Sequence, residues 1–176
     1  MAARQPLPRT WLVSDERQGD SLLPAVERLP FGSGILLRHY SLPEAQRHTL
    51  FLKIRAVGRR RGHLLLLSGT PARARIWGAD GWHGPGRGAG LHSASVHNLA
   101  EMRAAERAGA SILFVSPVYP TRSHPGAAGL GARGFARLAR RTNLPVIALG
   151  GVDGEKAPRL MALGAYGWAA VDAWVD

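Results

Sequence analysis

The 176-residue chain contains no cysteine. That excludes a disulfide scaffold, a zinc–thiolate or iron–sulfur site and a thiol nucleophile. Lysine is nearly missing too: only Lys53 and Lys156 occur, so almost all positive charge is arginine. Acids are sparse, with Asp+Glu 12 against Lys+Arg 23 and a formal charge of +11. The longest strongly apolar run is Leu64 to Leu67, far short of the roughly 20 residues a membrane helix requires. The opening residues Met1-Ala2-Ala3-Arg4-Gln5-Pro6 hold no apolar segment for a secretory signal. What is present is globular: 45% hydrophobic and 20% charged residues, enough for one buried core. The expectation is a single cytoplasmic domain spanning residues 1–176.

A basic chain invites a polyanion partner, but these arginines are dispersed. The densest group, Lys53, Arg55, Arg59, Arg60 and Arg61, falls at the end of a predicted helix. There cations favour the negative end of the dipole and stay solvated. Arg133, Arg137 and Arg141 recur at four-residue spacing, one exposed helical stripe. No aromatic residues interleave them as a single-strand platform requires. Nucleic-acid binding is therefore the remote reading, separable by its steep salt dependence.

Short apolar runs alternate with helical patterns. The runs are Trp11–Val13, Ile35–Leu37, Leu64–Leu67, Ile112–Val115, Val146–Leu149 and Trp168–Val171, with weaker strands at Gly81–His83 and Ala94–Val96. Several are apolar throughout, as parallel strands buried on both faces are. Helices are predicted at about 22–24, 43–60, 72–77, 99–108, 132–142 and 154–163 from periodicity. Asn98 suits an N-cap with Glu101 three residues on, and Gly109 a C-terminal stop. Asp153 repeats the N-cap role, and Pro158 predicts an irregular first turn. Strict alternation of eight strands with helices predicts a parallel sheet, open and doubly wound or closed as a (β/α)8 TIM barrel. As a barrel it is compact, since such folds usually exceed ~200 residues. The glycine-rich stretch Gly78–Gly90 predicts a shortened middle unit whose helix is missing or vestigial.

In a barrel the chemistry sits where strands run into their following loops. Those positions are Ser14-Asp15, Arg38-His39-Tyr40, Ser68-Gly69-Thr70, His83-Gly84, Ser95-Val96-His97, Ser116 through His124, Gly150-Gly151 and Asp172. Gly150-Gly151 follows a buried strand and precedes a helix, so its N–H groups can cradle a phosphate or simply turn the chain. In the loop Ser116-Pro117-Val118-Tyr119-Pro120-Thr121-Arg122-Ser123-His124, the Thr121 and Ser123 hydroxyls and the Arg122 charge can clasp an anion. His83, His97 and His124 are acid–base candidates by ordinary pKa.

That loop resembles the Gly-Pro-Val-Phe-Pro-Thr-x-Thr-Lys loop of thiamine phosphate synthases. Pro145-Val146-Ile147-Ala148-Leu149-Gly150-Gly151-Val152 is similar to their Pro-Val-Val-Ala-Ile-Gly-Gly-Ile strand. Ser95-Val96-His97-Asn98 resembles their Ser-x-His segment, and Asp80-Gly81-Trp82-His83 their Asp-Gly-Val-His. The resemblance runs from Trp11 to Trp174 and is most specific between Ser93 and Gly167. It implies membership of the synthase/thiazole-tautomerase superfamily and the barrel fold. It also implies a transferase joining hydroxymethylpyrimidine diphosphate to thiazole phosphate, with magnesium on the leaving diphosphate and phosphorylated small molecules as partners. On this reading His97, His124 and Arg38 do the chemistry. Ser95, Thr121, Arg122, Ser123, Gly150, Gly151 and His83 bind substrate. A homodimer is possible.

Several positions depart from the family pattern. Gln-x-Arg-x-Lys reads Leu36-Leu37-Arg38-His39-Tyr40, and the Asn-Asp pair reads Ser68-Gly69. The second magnesium aspartate falls in Gly84-Pro85-Gly86-Arg87, and the serine after the last strand is Asp172. The tautomerase histidine position is Pro117. Serine and glycine do not hold Mg²⁺ against water, so no metal ligand is predicted; Arg38 and Arg122 remain as fixed cations. Two main readings stay open: a divergent synthase, and a non-catalytic or tautomerase-like barrel that binds a phosphorylated ligand.

Overall fold

The computed structural model describes residues 6–123, 126 and 128–174. Eight strands close into one parallel barrel in sequence order. They are β1 (Thr10–Val13), β2 (Gly34–Leu37), β3 (Leu64–Ser68), β4 (Gly81–His83), β5 (Leu91–Val96), β6 (Ile112–Val115), β7 (Val146–Leu149) and β8 (Gly167–Ala170). The ring shuts where Leu12 of β1 meets Ala170 of β8. Among the described residues six α-helices clothe it: α1 (Leu22–Arg28), α2 (Glu44–Arg61), α3 (Pro71–Trp77), α4 (Leu99–Arg107), α5 (Gly131–Ala139) and α6 (Ala157–Ala162). None follows β4, as the glycine-rich stretch predicts.

Alternate residues of each strand point to opposite faces. One set, including Trp11, Leu36, Leu66, Ile112, Phe114, Ile147 and Ala169, fills the barrel interior. Phe114 stands edge-on to Trp11, with ring centroids 5.4 Å apart. Gly34 makes room for that indole: a Cβ there would lie 2.2 Å from the Trp11 ring. The other set packs outward against helices as two cores. One holds Leu12 to Trp82, from β1–β4 and α1–α3. The second holds Val96 to Ala170, from β5–β8 and α4–α6.

Several boundaries differ from expectation. Residues Glu16–Ser21 form a 3₁₀ turn that sequence periodicity does not show, and α1 continues from it to Arg28. Asp15 caps the turn in a reciprocal box with Gln18. The Gln18 amide also donates to Val171 O at 2.6 Å, tying the ends of β1 and β8 together. β5 begins at Leu91, three residues early, because Leu91-His92-Ser93 is not an apolar run. α6 is limited to Ala157–Ala162, with Asp153 accepting from the Glu155 and Lys156 N–H groups over the irregular turn before it. The arginines ending α2 are not all solvated: Arg55 pairs with Asp80 at 3.0 Å, and Arg61 donates to Leu29 O at 2.8 Å.

Asn98 caps α4 as predicted, its Oδ1 accepting from Glu101 N at 2.9 Å. Asn98→Ala leaves that N–H unsatisfied and should lower stability by about 1 kcal/mol, read by urea unfolding.

Candidate functional site

The C-terminal ends of the strands open onto two recesses. One, about 340 Å³, lies over β6–β8. Its wall includes Arg38, Ser116, Thr121, Ser123, Leu149, Gly150, Gly151, Lys156, Val171 and Asp172. The second, about 570 Å³, takes in Tyr40, Ser68, His83 and Ser95 at the ends of β3–β5 and runs on along α4 to Glu101, Ala105 and Ala108. Arg38 at the end of β2 lines the first recess, and its charge reaches His83 of the second.

The floor of the first recess is the turn leaving β7. Gly150 and Gly151 adopt φ of 91° and 63°, a region in which side chains are strained. They must also be bare, since a Cβ on Gly151 would sit 2.6 Å from Pro120 O, and one on Gly150 2.8 Å from Pro117 Cα. The loop after β6 is stitched to this turn by Val118 N→Leu149 O and Tyr119 N→Gly150 O, both 2.9 Å. That stitching brings Thr121 and Ser123 to the same cavity as the glycine pair. Among the described residues, no acceptor takes the Gly151 N–H.

Charge around this recess is tied up in ion pairs, with Asp15 shared between Arg17 and Arg38. Arg122 meets Asp172 at 3.1 Å. Arg38 meets Asp15 at 2.9 Å and donates to Ser14 O at 2.9 Å. Lys156 pairs with Asp153. Arg17 donates to Ser123 Oγ at 2.9 Å. Burial opposes ionisation of Asp15, yet bonds from Arg17 with the Arg17 and Arg38 charges hold its carboxyl below the usual range. Hydrogen bonds from Lys156 lower Asp153 likewise. Asp172 therefore does not face the cavity as a naked anion; its charge is offset by Arg122.

The second recess is organised around His83. Burial, with the Arg38 and His92 charges, pushes its pKa down to about 4. Ser93 gives its hydroxyl proton to Trp82 O at 3.3 Å and so accepts from His83 Nδ1 at 2.9 Å. Neutral His83 then receives the Ser95 hydroxyl on Nε2 at 2.9 Å. Beside it, Tyr40 Oη bonds Ser68 Oγ at 2.5 Å.

Of the residues expected at the site, Arg38, Thr121, Ser123, Gly150 and Gly151 gather at the first recess. His83 and Ser95 meet in the second. Arg122 turns its exposed guanidinium to Asp172 at the rim. His97 lies outside both cavity walls; its Nδ1 bonds Glu101 Oε2 at 2.7 Å at the start of α4. His124 lies outside the described residues.

Several groups at or beside the recesses were not singled out from sequence. His39 is buried in the left-handed region at φ 43°, its Nδ1 2.9 Å from Ser14 Oγ. Burial lowers its pKa against the pull of Glu16 and Asp15. Ser14 Oγ also accepts from Arg38 N at 2.8 Å, so strand-end residues cooperate in fixing Arg38. Lys156 and Asp153 were missed as wall residues; a helix start just after a glycine pair was the available signal. Among the described residues, no three His, Asp or Glu side chains gather where they could hold a metal ion.

Comparison with known proteins agrees with this geometry. A family model described as thiamine monophosphate synthase matches residues 11–174. The thiamine-phosphate synthase of Salinispora arenicola is 33% identical over 186 residues, covering 95% of this chain and 89% of its own. That of Thiobacillus denitrificans is 31% identical over 174 residues, 89% of this chain and 82% of its own. Among solved structures, a thiamine phosphate pyrophosphorylase from Pyrococcus furiosus shares the fold. Its TM-score is 0.80 at 24% identity, over 94% of this chain and 86% of that one.

Proposed function

Because the chain belongs to the thiamine monophosphate synthase family, we propose that it binds a phosphorylated heterocycle of the thiazole phosphate class in the recess over β6–β8, without magnesium. The observation that carries this reading is the Gly150–Gly151 turn, bare, positive in φ and facing the Thr121 and Ser123 hydroxyls across one cavity. Backbone N–H groups in such a turn form an anion-binding concavity. The two hydroxyls add donors, and Lys156 and Arg38, paired with Asp153 and Asp15, line the same cavity. Leu149, Val152 and Val171 give the ring an apolar face.

The residues present do not fit the family's magnesium ion. A hard divalent cation is held by carboxylate oxygens, and the positions after β3 and β4 carry Ser68, Gly69, Gly84, Pro85, Gly86 and Arg87. The carboxylates near the mouth, Asp15, Asp153 and Asp172, are each occupied by a guanidinium or ammonium group. No step of the reading passes through a metal. Arg38 in the wall and Arg122 at the rim are the fixed cations nearest phosphoryl oxygens, each reaching them in exchange for its aspartate partner.

Titration calorimetry with hydroxyethylthiazole phosphate, beside its dephosphorylated form, tests the binding. The expected result is that the phosphate is required and that EDTA changes nothing. Steady formation of thiamine phosphate from both substrates, dependent on added Mg²⁺, would overturn the metal-free reading. Asp172→Ser removes a like charge and frees Arg122, so it should tighten phosphate binding about tenfold in the same titration. An unchanged affinity would place Asp172 outside the phosphate site.

A further inference from the structure

On the outer wall, α5 and α6 enclose a groove of about 650 Å³. Its floor is small and apolar, formed by Ala132, Ala136, Ala162 and Leu163. Five arginines surround it: Arg133, Arg137, Arg140, Arg141 and Arg159. All five are exposed, and among the described residues none of their guanidinium groups has a hydrogen bond, ion pair or ring contact. Elsewhere Arg17, Arg38, Arg55, Arg73 and Arg103 each meet a carboxylate; Arg59, Arg75 and Arg107 do not, but they are not gathered around one groove. Neither α5 nor α6 contains an acid. Like charges at helical i, i+4 spacing repel, and among the described residues no carboxylate pairs with these five.

We propose that this groove docks an acidic helix of a partner protein. The period fits: Arg133 and Arg137 stand four residues apart on α5, about 6 Å along its axis, while Arg141, expected on the same helical stripe, lies in the turn just past the helix end. Glutamates at i and i+4 of a second helix stand at the same interval. The alanine floor permits close approach, toward the short end of the roughly 8–10 Å at which helices pack. Other occupants fit less well. Single-stranded nucleic acid binds through aromatic stacking, and no aromatic residue lines the groove. A lipid surface calls for protruding apolar residues, whereas Phe31, Leu52 and Ile76, exposed large apolar side chains, lie on other elements. A second copy of this chain brings the same +11 charge.

Fluorescence anisotropy tests this with a labelled peptide of about 18 residues, about five helical turns. It carries glutamate at i, i+4 and i+8 beside a stripe of alanine and leucine. The full chain should bind it at low salt, more tightly than a scrambled peptide of equal charge. Arg137→Glu with Arg141→Glu should weaken binding at least about tenfold while leaving thiazole phosphate affinity at the barrel mouth unchanged. Arg137→Ala with Arg141→Ala serves if the reversal fails to fold, with a smaller loss in the same direction. Equal binding of the scrambled peptide, or equal binding by the variants, would overturn the proposal. So would tighter arginine-dependent binding of a thymidine oligonucleotide or of phosphatidylserine vesicles.

Discussion

Gly151→Val should weaken binding of hydroxyethylthiazole phosphate about a hundredfold in titration calorimetry, whereas Gly154→Ala should leave it unchanged. Both glycines lie in the turn between β7 and α6, but their surroundings differ. At Gly151 a Cβ would meet Pro120 O at 2.6 Å and Tyr119 Cβ at 2.8 Å, in a backbone region at φ 63° that branched side chains avoid. Neither obstacle is the end of a flexible side chain. The substitution must push the loop after β6 away from the turn, separating Thr121 and Ser123 from the N–H group they are proposed to share a ligand with. At Gly154 a Cβ meets nothing within 4 Å. Equal losses at both positions would mean the turn matters only for stability, and no loss at Gly151 would remove the phosphate from this site.

Stability should fall by about 3 kcal/mol between pH 7 and pH 4 through His83 alone. Its folded pKa of about 4 lies below the usual 6.5 because the ring is buried and faces Arg38. The unfolded chain takes up the proton first. His83 is therefore no burden above about pH 6.5, and the stability it permits is lost as pH falls to about 4, where the folded form also protonates. His39 and His63, both lowered by burial, act in the same direction. Asp15 and Asp153, held below their usual range, lose their contribution further down the scale. His83→Gln keeps one donor and one acceptor between Ser93 and Ser95 without titrating. The difference between wild type and variant in urea unfolding free energy should carry the His83 share, and parallel curves would refute the burial-driven shift.

The fold was legible because its signals are local and periodic. Ile112–Val115 and Val146–Leu149 are apolar at every position and appear as strands with the expected ends. The Asn98…Glu101 pair announced α4, and Gly78–Gly90 announced the missing helix. Where the signal is weak the expectation fell short. The 3₁₀ turn at Glu16–Ser21 is interrupted by Gly19 at φ 46° and has no apolar stripe to betray it.

Site residues divide along the same line. Gly150, Gly151, Thr121 and Ser123 belong to contiguous motifs, and they do share a cavity. The partnerships that set its charge, Arg122 with Asp172 and Arg38 with Asp15, join different strand ends and cannot be read from spacing along the chain. His97 illustrates the converse. Glu101, four residues on, engages it at the start of α4, and His97 itself lines neither recess.

The helix-free stretch after β4 falls between the two outward-facing cores, one gathered from residues 12–82 and the other from 96–170. Each half of the chain thus carries its own layer of strands and covering helices. The halves meet through the central packing, such as Trp11 on Phe114, and through the ladders of β1 with β8 and β4 with β5. Severing the backbone between Pro85 and Ala89 therefore interrupts no strand and neither outer layer. Co-produced fragments would find one another as two half-barrels, which makes the protein a natural candidate for splitting and complementation.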